Sequence, residues 1–185
     1  MCYNAFVVTM RKIIGYKSLD KDYKDISGNI LEENKTYHVD GKIIYGNGGN
    51  GYHFAKKLED TLRYQLKDED YLTKPNIAKV VGFGDIVESF DEYYGYYDLY
   101  AAKNIKILKY LKEEEIIDYA LNLREDRMLR FVSLYRLNSN EIKQFKNKYL
   151  SVDLAILYYQ MKIRNTYELF HSNNYDKVKK LVRNI

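Results

Sequence analysis

Length, composition and charge set the first limits on this chain. It has 185 residues, 46% of them hydrophobic and 30% charged, a balance that indicates a folded globular protein and excludes a disordered chain. Its single cysteine, Cys2, excludes a disulfide framework, and no apolar run approaches the roughly 20 residues that a membrane-spanning helix needs. We therefore expect a cytoplasmic protein with no membrane partner.

The net charge of +4 is unevenly distributed along the chain. Residues 1–102 carry 13 basic and 16 acidic side chains, whereas residues 103–185 carry 17 and 10. The basic half either favours an acidic partner or supplies solvated helix faces, and both interpretations stay open at this point.

The N-terminal half has the composition of β-strands separated by polar loops. Residues 5–17 predict one or two strands, and residues 18–34 predict a loop with a turn at Gly28-Asn29. Asp40-Gly41 lies between two β-prone runs and predicts a hairpin, because both central residues tolerate positive φ. Further elements are predicted in chain order: a glycine loop over 46–51, a strand over 52–55, a helix over 56–65, and strands over 77–83 and 105–111. Ile86-Val87 can continue the strand over 77–83 after Gly84.

After Lys112 the apolar period changes from that of a strand to that of a helix. Three glutamates follow it, where the helix dipole favours acidic residues, and Asn138-x-x-Glu141 predicts a capping box. Ser151 is a predicted N-cap further along. The sequence thus predicts an α+β fold: a strand-rich domain with one internal helix over 1–112, then a small helical bundle over 113–185.

One glycine-rich segment has a counterpart in a known superfamily. Residues 49–55, Gly-Asn-Gly-Tyr-His-Phe-Ala, with Tyr64 nine residues later, resemble the Gly-x-Gly-Ile-Tyr-Phe-Ala…Tyr signature of the ADP-ribosyltransferases, particularly their poly-ADP-ribose polymerase branch. His53 stands at the position of the tyrosine that stacks on nicotinamide. The resemblance implies an NAD-dependent transferase or a degenerate relative. It also implies two sets of residues: NAD-binding Gly49, Gly51, Tyr52, His53 and Tyr64, and a catalytic carboxylate at Glu88 or Glu92.

A broader resemblance covers about the first 110 residues. Gly15-Tyr16-Lys17, Lys35-Thr36-Tyr37 and Gly51-Tyr52-His53-Phe54, in this order, resemble an uncharacterised domain of phage, bacterial and giant-virus proteins that has a Gly-Tyr/Phe-His-Phe motif. This resemblance implies a shared fold and no known activity. It implies no cofactor either, so NAD is expected only if the first resemblance holds.

The other chemically interesting residues give no complete motif. Residues 85–100 combine five carboxylates with five tyrosines, a composition that suits protein recognition and argues against nucleic acid, because carboxylates repel phosphates. The three histidines lack the spacing of a zinc site, so no metal is expected. The leading hypothesis is a protein-interaction module of viral, phage or bacterial origin, which would use residues 85–100 and the basic helical half as contact surfaces.

Overall fold

The structure is a computed structural model that describes residues 6–46, 49–62, 74–91, 96–132 and 134–148. Within these residues the fold is α+β, as the sequence predicts. The chain forms two compact units, of which the first contains the β-strands and one short helix. The described part of the second contains Lys74 and three helices, and the boundary after β5 lies between Lys112 and Glu113.

Antiparallel strands form the first unit. The structure shows them as β1 (Phe6–Leu19), β2 (Thr36–His38), β3 (Tyr52–Ala55), β4 (Asn76–Asp91) and β5 (Tyr96–Tyr110). One helical turn, α1 (Leu58–Thr61), follows β3. β5 pairs with β2, β3 and β4, while β1 pairs with β3 and β4. The strands β1, β4, β5 and β3 therefore close a ring of pairings with an inner and an outer face.

The inner face of this ring is the hydrophobic core of the first unit. Side chains alternate between the two faces of a strand, so every second residue points inward. The buried cluster consists of Leu19, Leu31, Tyr52, Phe54, Ala78, Val80, Ile86, Tyr100, Ala102, Ile105 and Ile107. Register shifts in β1–β4 and β4–β5 bend the long strands, as ring closure requires.

The predicted hairpin at Asp40-Gly41 is wrong. β2 pairs with β5, and residues 42–45 are not part of a strand. Ile43 is instead buried against the outer face of the ring, and the Asn50 side chain donates hydrogen bonds to the carbonyls of Asp40 and Lys42 at 2.6 and 3.2 Å. Burial of Ile43 by the ring thus overrides the local turn preference of Asp-Gly.

Residues 85–100, the acidic and tyrosine-rich stretch, belong largely to strands. β4 extends to Asp91 and β5 begins at Tyr96, while residues 92–95 lie outside the described residues. Strand pairing places Glu88 opposite Tyr100. The described part of the stretch is therefore the end of a long two-stranded ribbon within the sheet.

The second unit contains α2 (Glu113–Leu121), α3 (Glu125–Val132) and α4 (Ser139–Lys148). The predicted capping box is confirmed: Asn138 Oδ1 accepts from the Glu141 backbone N–H at 3.0 Å, and Glu141 Oε2 accepts from the Asn138 N–H at 2.6 Å. Phe131 stacks on Tyr135 and Phe145, with ring centroids 4.8 and 6.1 Å away, and forms the centre of this unit.

The partly buried Lys74 ammonium joins two helices of the second unit. It donates to both oxygens of Glu141, at 2.8 and 2.9 Å, and to the carboxylate of Glu113. The helix that Ser151 was predicted to cap lies outside the described residues. Across the described part of the chain, no helix has the length and apolar character needed to cross a membrane.

Candidate functional site

The Gly15-Tyr16-Lys17 motif contacts the Gly51-Tyr52-His53-Phe54 motif inside the ring, where Gly82 of β4 also contacts Phe54. A Cβ built on Gly15 would lie 2.9 Å from Phe54 Cδ2, and one built on Gly82 would lie 2.5 Å from Phe54 Cε1. The absence of side chains at these two glycines therefore creates the space that Phe54 occupies. Tyr100 completes the aromatic contact, since its ring stacks on Phe54 with centroids 5.4 Å apart.

Lys17, the last residue of the Gly-Tyr-Lys motif, is buried on the same inner face. It is 5% exposed, and its Nζ donates a hydrogen bond to the carbonyl oxygen of His53 at 2.9 Å. Burial lowers the pKa of the Lys17 amine to about 8, against a weaker opposing effect of Asp25. An amine with this pKa is a candidate nucleophile or proton carrier. Its hydrogen bond to β3 also makes it a structural tie between the two motifs.

The third motif, Lys35-Thr36-Tyr37, packs against the same inner-face cluster. The Tyr37 ring lies 6.4 Å from the Tyr52 ring, and its hydroxyl accepts from the Glu32 backbone N–H at 2.7 Å. The Tyr52 hydroxyl donates to the carbonyl of His38 at 3.4 Å. Each of the three sequence motifs of the broader resemblance thus contributes at least one residue to the inner face of the ring, among them Lys17, Tyr37 and Phe54.

His53 lies on the outer face, where it holds the glycine-rich loop. Its Nε2 accepts from the Gly46 backbone N–H at 3.3 Å, and its ring meets the edge of Tyr45 at a centroid distance of 5.0 Å. Gly49 donates its N–H to the carbonyl of Gly46 at 2.9 Å, and Gly51 leads directly into β3. The described part of the loop is therefore a compact turn closed by an imidazole.

The residues implied by the ADP-ribosyltransferase resemblance do not share one face of the sheet. Tyr52 belongs to the inner cluster, whereas His53 points outward, as the pleat of a strand requires. Glu88 lies on the inner face of the sheet, because strand pairing places it opposite Tyr100, a member of the inner cluster. Tyr64 and Glu92 lie outside the described residues.

Glu88 contacts a tyrosine hydroxyl at one end of the ring. The Tyr100 hydroxyl lies 3.3 Å from Glu88 Oε1 and 3.5 Å from Asp98 Oδ1, and Asp98 pairs with Lys57 at 3.5 Å. Burial, followed by the two carboxylates, raises the pKa of the Tyr100 hydroxyl well above its ordinary value. This tyrosine therefore stays protonated and donates to a carboxylate.

Metal binding has no support from the described residues, among which no group of three His, Cys, Asp or Glu side chains is placed to hold an ion. His38 lies on β2, where Nδ1 contacts Asn104 Oδ1 at 2.7 Å and Nε2 contacts Asp40 Oδ1 at 3.2 Å. These contacts tie the end of β2 to β5. His171 lies outside the described residues.

The loop predicted over residues 18–34 contains a feature that the sequence reasoning did not predict, a pair of turns over residues 20–31, here named the tandem-turn loop. Asp20 Oδ1 accepts from the backbone N–H groups of Asp22 and Lys24, both at 2.8 Å. Asp25 Oδ1 repeats this pattern with Ser27 and Asn29, at 2.9 and 3.0 Å. The two turns succeed each other without a break, and the spacing of five residues between the aspartates was the signal for them.

The tandem-turn loop is fixed to the ring and exposes apolar side chains. Leu31 is fully buried in the core, its carbonyl accepts from the Tyr110 hydroxyl, and the Asn76 amide donates to the carbonyl of Asp20 at 2.9 Å. Ile26 is nevertheless 64% exposed and Ile30 is 55% exposed.

No protein-family model matches the chain, and neither the curated proteins nor the solved structures searched contain a match to it.

Proposed function

We propose that this protein is a binding module that docks onto another protein through its tandem-turn loop. The observation that carries the proposal is the exposure of Ile26 and Ile30 on a loop with an ordered, hydrogen-bonded backbone. Isolated exposed apolar residues are common on protein surfaces, but two large apolar side chains exposed on one hydrogen-bonded loop suit a contact site.

The order of the loop supports this role energetically. The backbone of residues 20–31 is held by the two aspartate carboxylates, by the bridge between Lys24 and Ile30, and by the hydrogen bond from Leu31 N to the Tyr23 carbonyl at 3.1 Å. A surface that is ordered before binding loses little conformational entropy when a partner arrives. The partner we expect offers an apolar pocket for the two isoleucines.

The placement of the motif residues also favours binding over catalysis. Lys17, Phe54 and Tyr52 pack or form hydrogen bonds within the ring, and His53 closes a loop on its outer face. Tyr52 and His53, two of the residues that suggested a nicotinamide pocket, are thus engaged in holding the fold. Residues 85–100 and the basic helical half stay predictions as additional contact surfaces.

The test is site-directed photo-cross-linking. Ser27, at the tip of the loop and exposed, is replaced by a photoreactive amino acid, and the cross-linked protein is identified in wild type and in an Ile26→Ser/Ile30→Ser variant. We expect one dominant cross-linked partner in wild type, and a Kd for the purified partner at least 10-fold weaker in the variant. The matched control is Ile44→Ser, since Ile44 is 53% exposed but lies outside the loop.

Two outcomes would contradict the proposal. One is binding of the purified partner that is equally weakened by Ile44→Ser, or unaffected by the loop variant. The other is transfer of label from NAD to protein by the wild type that is lost in His53→Ala and Glu88→Ala, because it would identify an ADP-ribosyltransferase.

A further inference from the structure

The outer face of the ring, opposite the core, carries a cluster of lysines and aromatic side chains. Strand register places Tyr16 beside Lys79, and Lys79 beside Lys109, in one row across β1, β4 and β5. The next rows bring Ile14 beside Val81 and Lys106, and Lys12 beside Phe83 and Asn104. We name these nine positions the lysine face: Lys12, Ile14, Tyr16, Lys79, Val81, Phe83, Asn104, Lys106 and Lys109.

Burial confirms that the lysine face points away from the core. The residues that alternate with it, Gly15, Val80 and Gly82, are buried, whereas Ile14 is 57% exposed and Lys12 is exposed. Neighbouring rows on one face of a strand are roughly 6.6 Å apart, so the three rows make a patch longer than 13 Å or so along the strands.

Charge on the lysine face has one sign. The strand segments that form it, residues 12–18, 76–83 and 104–110, contain no aspartate or glutamate. Among the described residues, Lys12, Lys79 and Lys106 form no ion pair with a carboxylate. The acidic excess of residues 1–102 therefore lies elsewhere, and the face presents a local positive field to a ligand.

Carboxylates lie at the margins of the lysine face. That of Glu33 accepts from the Tyr110 N–H next to Lys109, and that of Asp85 pairs with Lys103, beside Asn104, at 3.4 Å.

Two more carboxylates lie at these margins. Glu59, fully buried in α1, raises the pKa of the Tyr16 hydroxyl, although burial of Tyr16 is the larger cause. The exposed Asp40 contacts His38, which is paired with Asn104. Neither carboxylate belongs to the strand rows that carry the lysines.

Aromatic rings lie among these lysines. Tyr16 and Phe83 occupy opposite ends of the patch on adjacent strands, with Ile14 and Val81 between them. Sheet faces that bind single-stranded nucleic acid use this combination, because bases stack on aromatic rings while cations track the phosphates. An acidic peptide would use the lysines and leave the aromatic rings without a planar partner.

We propose that the lysine face binds single-stranded nucleic acid. Bases stack on Tyr16 and Phe83, and phosphates bind Lys12, Lys79 and Lys106. This surface is independent of the tandem-turn loop, so it does not depend on the protein-docking function. The carboxylates that disfavour nucleic acid belong to residues 85–100 and not to these rows of strand residues, which only the strand register brings together.

The test is fluorescence anisotropy with labelled 12-residue oligo(dT) and oligo(U) at 50 and 200 mM salt. Replacing the three lysines together, as Lys12→Gln/Lys79→Gln/Lys106→Gln, should weaken binding more than 10-fold and lower the log–log salt slope by about 2, since each phosphate contact on a single strand contributes about 0.7. The matched control is Lys21→Gln/Lys42→Gln/Lys56→Gln, which changes net charge equally at three exposed lysines outside the lysine face. We expect the control to retain the wild-type slope.

The aromatic residues are tested by Tyr16→Leu and Phe83→Leu, which keep apolar bulk and remove the ring. Each should weaken binding by about 5- to 100-fold, the range measured for loss of base stacking. Circular dichroism and thermal unfolding establish that each variant is folded before binding is measured.

Three results would overturn the proposal: no oligonucleotide binding up to 100 µM at low salt, equal weakening by the control triple variant, or unchanged affinity in both leucine variants. Binding of poly-glutamate with the same affinity as oligo(dT) would assign the face to an acidic peptide instead.

Discussion

Phe54 lies against the backbone of Gly82, so closely that a Cβ at position 82 would come 2.5 Å from two atoms of the ring. The glycine and the phenylalanine come from strands β4 and β3, which are more than twenty residues apart in sequence. This contact explains the presence of a glycine inside a long strand, where glycine otherwise weakens the structure.

Gly82→Ala should destabilise the first unit by about 1–3 kcal/mol, because the added methyl group overpacks the core against Phe54. The measurement is chemical unfolding followed by tyrosine fluorescence. Phe54→Leu in the same chain should recover part of the loss, and a double-mutant cycle gives the coupling between the two sites. Additive effects of the two substitutions would contradict a direct contact.

Gly28→Ala measures the cost of backbone strain alone, without the steric clash that Gly82→Ala introduces. Gly28 has a φ of +83° in the second turn of the tandem-turn loop, and a Cβ there would meet no atom within 4 Å. We expect a loss of about 1–2 kcal/mol from the left-handed backbone alone. No substitution at Phe54 should restore it, in contrast to Gly82→Ala.

Lys17 should make the free energy of unfolding depend on pH. Its pKa is about 8 in the folded state and 10.5 in the unfolded state, so between these values the unfolded chain binds more protons. The free energy of unfolding therefore rises with pH above 8, by up to about 1.4 kcal/mol per pH unit. Burial raises the pKa of tyrosines such as Tyr100 and has the opposite effect above pH 10, so the clean window is pH 8 to 9.5.

The measurement for Lys17 is urea unfolding across that window in wild type and in Lys17→Met. Methionine keeps the length of the side chain and removes the titrating amine, so the variant should lose the slope. Lys56→Met at an exposed site is the control and should keep it. An equal slope in Lys17→Met would show that other groups cause the pH dependence.

His53→Ala should release the glycine-rich loop without unfolding the ring. The Gly46 N–H donates to His53 Nε2, so its exchange with solvent should accelerate about 2- to 10-fold when that acceptor is lost. Amide exchange measured by NMR is the readout. His38→Ala is the matched control, since His38 contacts Asn104 and Asp40 and should leave the Gly46 amide unchanged.

Asn138→Ala should cost the second unit about 1 kcal/mol, because the side chain caps α4 through the N–H groups of Asn140 and Glu141. The readout is the thermal unfolding of the helical signal in circular dichroism. Asn140 lies two residues after Asn138 and is exposed, so Asn140→Ala should change the stability of the second unit by about a few tenths of a kcal/mol at most. Equal effects of both substitutions would contradict the capping role.

Local patterns in the sequence predict most of the elements but few of their partners. The capping box at Asn138 and Glu141 was predictable because both halves of the interaction lie within one helical turn. The long strands were predictable only in part, because β-branched residues indicate most of β1, much of β4 and the end of β5, whereas residues 96–104 were assigned to no strand. The absence of a hairpin at Asp40-Gly41 was not predictable, because Ile43 is buried by residues of distant strands that no local pattern reveals.

The candidate sites also separate into residues that local patterns identify and contacts that only strand pairing creates. The sequence singled out Lys17 and His53 only as members of short motifs, and their hydrogen bonds become visible once β1 and β3 are paired. The lysine face could not be predicted at all, since only the register of three strands places Lys12, Lys79 and Lys106 on one face of the sheet. The alternation of inward- and outward-facing side chains within each strand can be predicted from the sequence, but the order of the strands across the sheet cannot.

The ring of strand pairings has a consequence for how the chain is made. β5 pairs with β2, β3 and β4, yet it is the last of these strands to leave the ribosome. β2 and β3 must therefore wait for residues 96–110 before their ladders to β5 can form, while β1 and β4 already pair over a separation of about seventy residues. Because such distant pairings form slowly, the first unit folds as a whole only after its final strand emerges, when synthesis of the helical unit has begun. Slower translation just after residue 112 would give that closure more time and raise the yield of folded protein.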